Sequence, residues 1–70
     1  MSTYTVVYER APDGTWSAAA AGLPVFAVGQ HDRAAAEAAI RSAIAEHLAY
    51  LAESGERPPA PTTEIATVTV

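Results

Sequence analysis

Two histidines, His31 and His47, and eight carboxylates are the side chains of this 70-residue chain best able to move a proton or hold a metal near neutral pH. The chain has no cysteine, so neither a thiolate nucleophile nor a Cys-ligated zinc site can be built from it. His31 stands in a loop just ahead of a helical segment and reads as a solvated loop residue. His47 falls on the apolar stripe of that segment and reads as a histidine at the edge of a core. Neither has a nucleophile nearby in a recognisable pattern. Gly14-Thr15-Trp16-Ser17 lacks the second glycine of a nucleophile elbow, and no phosphate-cradling glycine pattern occurs.

Metal-assisted hydrolysis asks for several carboxylates converging on one or two ions. Glu9 at a strand exit, Asp13 in a turn and Glu64 at the start of the last strand are the candidates, because Asp32 is engaged as a helix cap. They make a residual metal-dependent nuclease one reading of the chain, although the supply of carboxylates is thin. Trp16, Tyr4 and Tyr8 resemble the aromatic platforms on which bases stack. The only strong cations are four arginines, there is no lysine, and the net charge is −4. Affinity for nucleic acid comes largely from neutralising phosphates, so direct binding is not expected and the aromatics read as core and cross-strand packing. We assign no catalytic residue, metal ligand or cofactor, and expect a protein that is not an enzyme. An acidic surface suits a basic protein partner, since complementary charge speeds encounter.

The positions of these residues follow from five expected elements in one domain, 1–70. The longest is a helix over residues 33–54. Asp32 can cap its first turn, and Gly55 can close its last in the left-handed conformation. Ala36, Ala39, Ile40, Ala43, Ile44, His47, Leu48 and Leu51 recur at spacings of three and four, which makes one apolar stripe. Glu37 and Arg41 are spaced as an i,i+4 ion pair. Residues 3–9, TYTVVYE, read as a strand with Tyr4, Val6 and Tyr8 on one face. Pro12, Asp13 and Gly14 supply a hairpin turn into a second strand, 15–21, led by Trp16. Ala18 to Ala21 would suit a helix by propensity, but Gly14 and Gly22 bracket too few residues. Gly22-Leu23-Pro24 breaks that strand, and a third follows at 25–28.

After the helix, the proline-rich stretch 56–61 reads as an extended connector, and Thr63 to Val70, TEIATVTV, as a last strand. The expected fold is therefore α+β, in the order β-β-β-α-β: an antiparallel meander with one long helix packed on one face. Ile40, Ile44, Leu48 and Leu51 are expected to pack under Trp16 and Phe26. Half of the residues are apolar, but many of these are alanine, so the core is thin and a homo-oligomer, a dimer or larger, is expected. Ile65, Thr67, Val68 and Val70 of the closing strand are its expected self-association residues, because an exposed strand edge invites pairing. No segment has the apolar length of a membrane span and no leader pattern is seen, which makes a cytoplasmic location the expectation.

Taken together, the order of these signals resembles the N-terminal domain of HicB-family antitoxins. The residues that carry it are Tyr4, Val6, Tyr8 and Glu9 as Y-x-V-x-[YF]-E, a Pro/Asp-Gly turn before Trp16 and Ala18, and the Leu23-Pro24 step. A glycine-to-cap loop follows, then a helix reading A-x-x-x-I-x-x-A-I-x-x-x-L from Ala36 to Leu48, then Gly55 and prolines. The resemblance spans nearly the whole chain. It implies a degenerate ribonuclease H-like module without nuclease activity, which would neutralise a small basic HicA-type messenger-RNA-cleaving toxin by occluding its surface. Glu9, Asp13, Leu23, Phe26, Gln30 and His31 are the expected partner contacts. Val25 stands where the family commonly has glycine, and Ala34-Ala35 replaces an acidic pair often found in the first helical turn. The DNA-binding segment that follows the last strand in operon-repressing members is not expected here. An alternative is a solitary HicB-like homo-oligomer that acts without a toxin.

Overall fold

The computed structural model describes residues 3–58 and 62–70. Three strands, β1 (Val6–Arg10), β2 (Trp16–Ala20) and β3 (Phe26–Gln30), are followed by one helix, α1 (Arg33–Glu53). The strands form an antiparallel meander in the order β1-β2-β3. This is the expected α+β arrangement as far as the helix.

The β1-β2 turn is closed by local chemistry. Gly14 takes φ +89°, and the Asp13 carboxylate accepts from the Thr15 backbone N–H at 2.9 Å and the Thr15 hydroxyl at 2.7 Å. Val6 then lies opposite Ala20 and Tyr8 opposite Ala18, so the two-residue alternation sends Tyr4, Val6 and Tyr8 to the same side as Ala18 and Ala20. The alanine run is strand, as the flanking glycines required.

Strand β3 runs two residues further than expected, to Gln30, because it carries a bulge. Trp16 pairs with Gln30 and Ala18 with Ala27, so Val28 and Gly29 together oppose Ser17 alone. Gly29 sits at φ +68°, which a residue without a Cβ adopts at no steric cost.

Helix α1 starts where Asp32 Oδ1 accepts from the Ala35 N–H at 2.7 Å. It ends in a paired C-terminal motif. Gly55 at φ +73° donates its N–H to the Ala52 carbonyl at 3.2 Å, and the Glu56 N–H reaches Leu51 at 2.8 Å. Ala18, Ala20, Leu23, Ala36 and Ile40 form the buried core, with Tyr4, Val6, Tyr8, Trp16, Val25 and Ile44 packed around them. Alanine on both the strand and the helix side of this core lets the two layers approach closely.

Three expectations are corrected. Phe26 does not cover the apolar stripe of the helix: it pairs with Ala19 on the opposite side of the sheet, and Val25 takes the inward place beside the core. Leu23 is buried in the core at 8 % exposure, which removes it from the expected contact surface. The closing strand is not formed. Residues 62–70 have no regular structure, and among the described residues no backbone hydrogen bond ties them to the sheet. Threonine and valine favour the extended conformation, but a strand exists only where a neighbouring backbone completes its ladder. The predicted connector falls in part on residues 59–61, which lie outside the described residues. Among the described residues no helix is long and apolar enough to cross a membrane.

Candidate interaction surface

With one helix on one face, the sheet leaves its other face bare of any further element among the described residues. Register places two rows across that bare face: Val7, Ala19 and Phe26 in one, and Glu9, Ser17 and Val28 beside it. Val7, Phe26 and Val28 are 46 %, 69 % and 64 % exposed. Large apolar side chains scattered singly on a surface are ordinary, but here they adjoin and form a shallow concavity with Glu9 at its border.

The residues singled out from sequence are spread over this face, the loops, the inner side of the sheet and the C-terminal tail. Phe26 and Glu9 lie on it. Asp13 is in the β1-β2 turn, exposed, and its two hydrogen bonds from Thr15, the hydroxyl's first and the backbone's second, hold its carboxyl below the usual value of 3.8. Gln30 ends β3 half-buried, and its side-chain amide donates to the Val28 carbonyl at 3.0 Å. His31 is exposed, with Nε2 3.3 Å from Asp32 Oδ2. Ile65, Thr67, Val68 and Val70 are all exposed. His47 is half-buried beside Pro24, Val25 and Phe26.

No group of three His, Asp or Glu side chains lies close enough to share a metal ion among the described residues, so Glu9, Asp13 and Glu64 are not brought together. Chemistry by convergent carboxylates therefore has no geometric support here. What the arrangement offers is an apolar surface with acidic and hydrogen-bonding groups around it, which suits contact with another macromolecule.

Comparisons with models of protein families, with curated proteins and with solved structures return no match.

Two features, one on this face and one on the opposite side of the sheet, are not among the contacts expected from sequence. Val7 and Val28 belong to the bare face, and the signal for Val7 was available: it has the opposite parity to Tyr4, Val6 and Tyr8, which form the inner row. Val28 could be placed only once the bulge was known. The second feature is Arg33, whose guanidinium lies 4.2 Å from the centroid of the Tyr8 ring, while Glu37 holds Arg41 at 3.0 Å and stands 3.9 Å from Arg33. Arg33 thereby ties the start of the helix to the edge strand.

Proposed function

We propose that this domain is a non-catalytic, antitoxin-like binding module that neutralises a small basic HicA-type messenger-RNA-cleaving toxin by covering its surface, without metal or cofactor. The observation that carries this reading is the bare sheet face, where Val7, Phe26 and Val28 adjoin under the border residue Glu9. Apolar side chains at the centre supply burial, and the surrounding acidic and polar groups supply orientation. The net charge of −4 favours encounter with a basic partner. The HicB-like order of motifs supports the same partner class. His31 and Asp13 stand exposed in the loop and the turn at the end of the sheet, and Gln30 closes β3 on the inner side.

Co-expression with a HicA-type toxin tests the reading. The wild-type chain is expected to restore growth and to co-purify with the toxin. Replacing Phe26 and Val28 by aspartate should abolish both while leaving helical circular dichroism unchanged, because neither side chain is in the core. Failure of the wild type to bind any such toxin would overturn it. A solitary homo-oligomer without a toxin is the second reading, and the exposure of Ile65, Val68 and Val70 favours self-association in either case.

A further inference from the structure

We propose that residues 62–70 of one copy add as a strand to the free edge of β1 in a second copy and roof the groove between β1 and α1. Four observations converge on this exchange, which stands independently of any toxin.

The first is the edge itself. Among the described residues β1 pairs with β2 alone, so one side of a five-residue strand presents backbone N–H and C=O groups with no partner in the sheet. The second is the space beneath that edge. Helix α1 packs on β2 and β3 and leaves the inner side of β1 partly uncovered. The result is a groove of about 450 Å³, walled by Tyr4, Val6 and Tyr8 on one side and by Ile40, Ile44 and Leu48 on the other. A strand added to β1 would lie across its mouth.

The third is the occupant. TEIATVTV has the alternation of a strand, with Ala66, Val68 and Val70 on one side and Ile65, Thr67 and Thr69 on the other. Its apolar side chains are left in water: Ile65 and Val68 are 71 % and 83 % exposed, and Val70 fully so. Placed along β1, Ala66, Val68 and Val70 enter the groove. Thr67 then faces the bare side with Val7, and Ile65 extends the apolar row. At roughly 3.3 Å per residue, nine residues span more than the five of β1.

The fourth observation is that the tail does not occupy its own copy's edge. Thr63 lies beside Gly22, where an added Cβ would meet its Oγ1 at 3.1 Å, at the end of the sheet where the Ala21 N–H bonds to the Thr5 carbonyl. Beyond that root residues 64–70 are all exposed, and among the described residues none makes a backbone hydrogen bond to the sheet. The radius of gyration is 13.5 Å, against about 11 Å for 70 residues packed as a compact domain. An arm that leaves its own domain with a matching edge left open is the geometry of reciprocal exchange between two copies.

Because the chain contains no cysteine, pairing can be mapped with introduced thiols. Single variants V7C and T67C, the second carrying a mass tag, are purified reduced, mixed and oxidised, alongside V7C mixed with V68C. Cysteines at Ile65 and Thr69 cover neighbouring registers. The expected result is a disulfide-linked V7C heterodimer with one or more of the I65C, T67C and T69C chains and none with V68C, whose side chain points into the groove. Light scattering should give the wild type twice its own chain mass of 7.3 kDa, and a chain truncated after Pro61 the mass of one chain. If truncation unfolds the domain, the disulfide map decides alone. A monomeric wild-type mass, or a V7C/T67C double variant that closes its disulfide within a single chain, would overturn the proposal.

Discussion

At the scale of single residues, the turn around Asp13 shows how a short local network sets an electrostatic property. The Thr15 hydroxyl and N–H both donate to one carboxylate oxygen, and they stabilise its charged form in the folded chain only. A carboxyl group whose folded value lies below its unfolded one binds fewer protons in the native state. Its contribution to stability is therefore present above the ordinary value of 3.8 and is lost as pH falls through the lowered folded value. Proton titration followed by carboxyl carbon shifts should place the Asp13 midpoint below 3.8, and Thr15→Ala should move it upward by removing the larger cause. A wild-type midpoint at or above the ordinary value would show that the turn does not hold in solution. The same two bonds occupy part of the carboxylate's capacity, so as a partner contact Asp13 offers charge more than free lone pairs.

At the scale of elements, the bulge in β3 decides which side chains the bare face carries. In a regular strand, residues on one side are separated by an even number. Ala27 and Gln30, three apart, both pair with inward-facing partners, Ala18 and Trp16, because Val28 and Gly29 share the space opposite Ser17. Gly29 makes that possible at φ +68°, and an added Cβ would meet nothing within 4 Å. Gly29→Ala therefore tests backbone conformation without a clash, and it should cost about 1–2 kcal/mol in denaturant unfolding. A neutral result would mean that the bulge relaxes. The expected strand 25–28 stopped at this glycine because a lone glycine in a strand pattern reads as a terminator. The helix was more legible: Asp32, the apolar spacing and Gly55 each acted locally, and its ends fall within a residue of those expected.

At the scale of the whole molecule, a small domain with an alanine-rich core gains little from burial, and this one leaves a groove, a sheet edge and an apolar tail in water. Exchange of tails between two copies would resolve all three. A dimer that is more stable than its separated chains melts at a temperature that rises with protein concentration. Differential scanning calorimetry over a hundredfold range of concentration should show that rise for the intact chain and a constant melting temperature for one truncated after Pro61. A constant value for both would place the stability of the domain within a single copy.

The chain's own residues determined what depends on near neighbours in sequence: the cap and closing glycine of the helix, the hairpin turn, the inner row of Tyr4, Val6 and Tyr8, and the α+β order as far as the helix. These rest on hydrogen bonds and periodicities a few residues long. Tertiary structure alone decided that Phe26 faces outward, that Leu23 is buried, that Arg33 stacks on Tyr8 and that TEIATVTV finds no ladder among the described residues. Each of these depends on which backbone or ring lies opposite, and that is set by register and packing between segments distant in the chain.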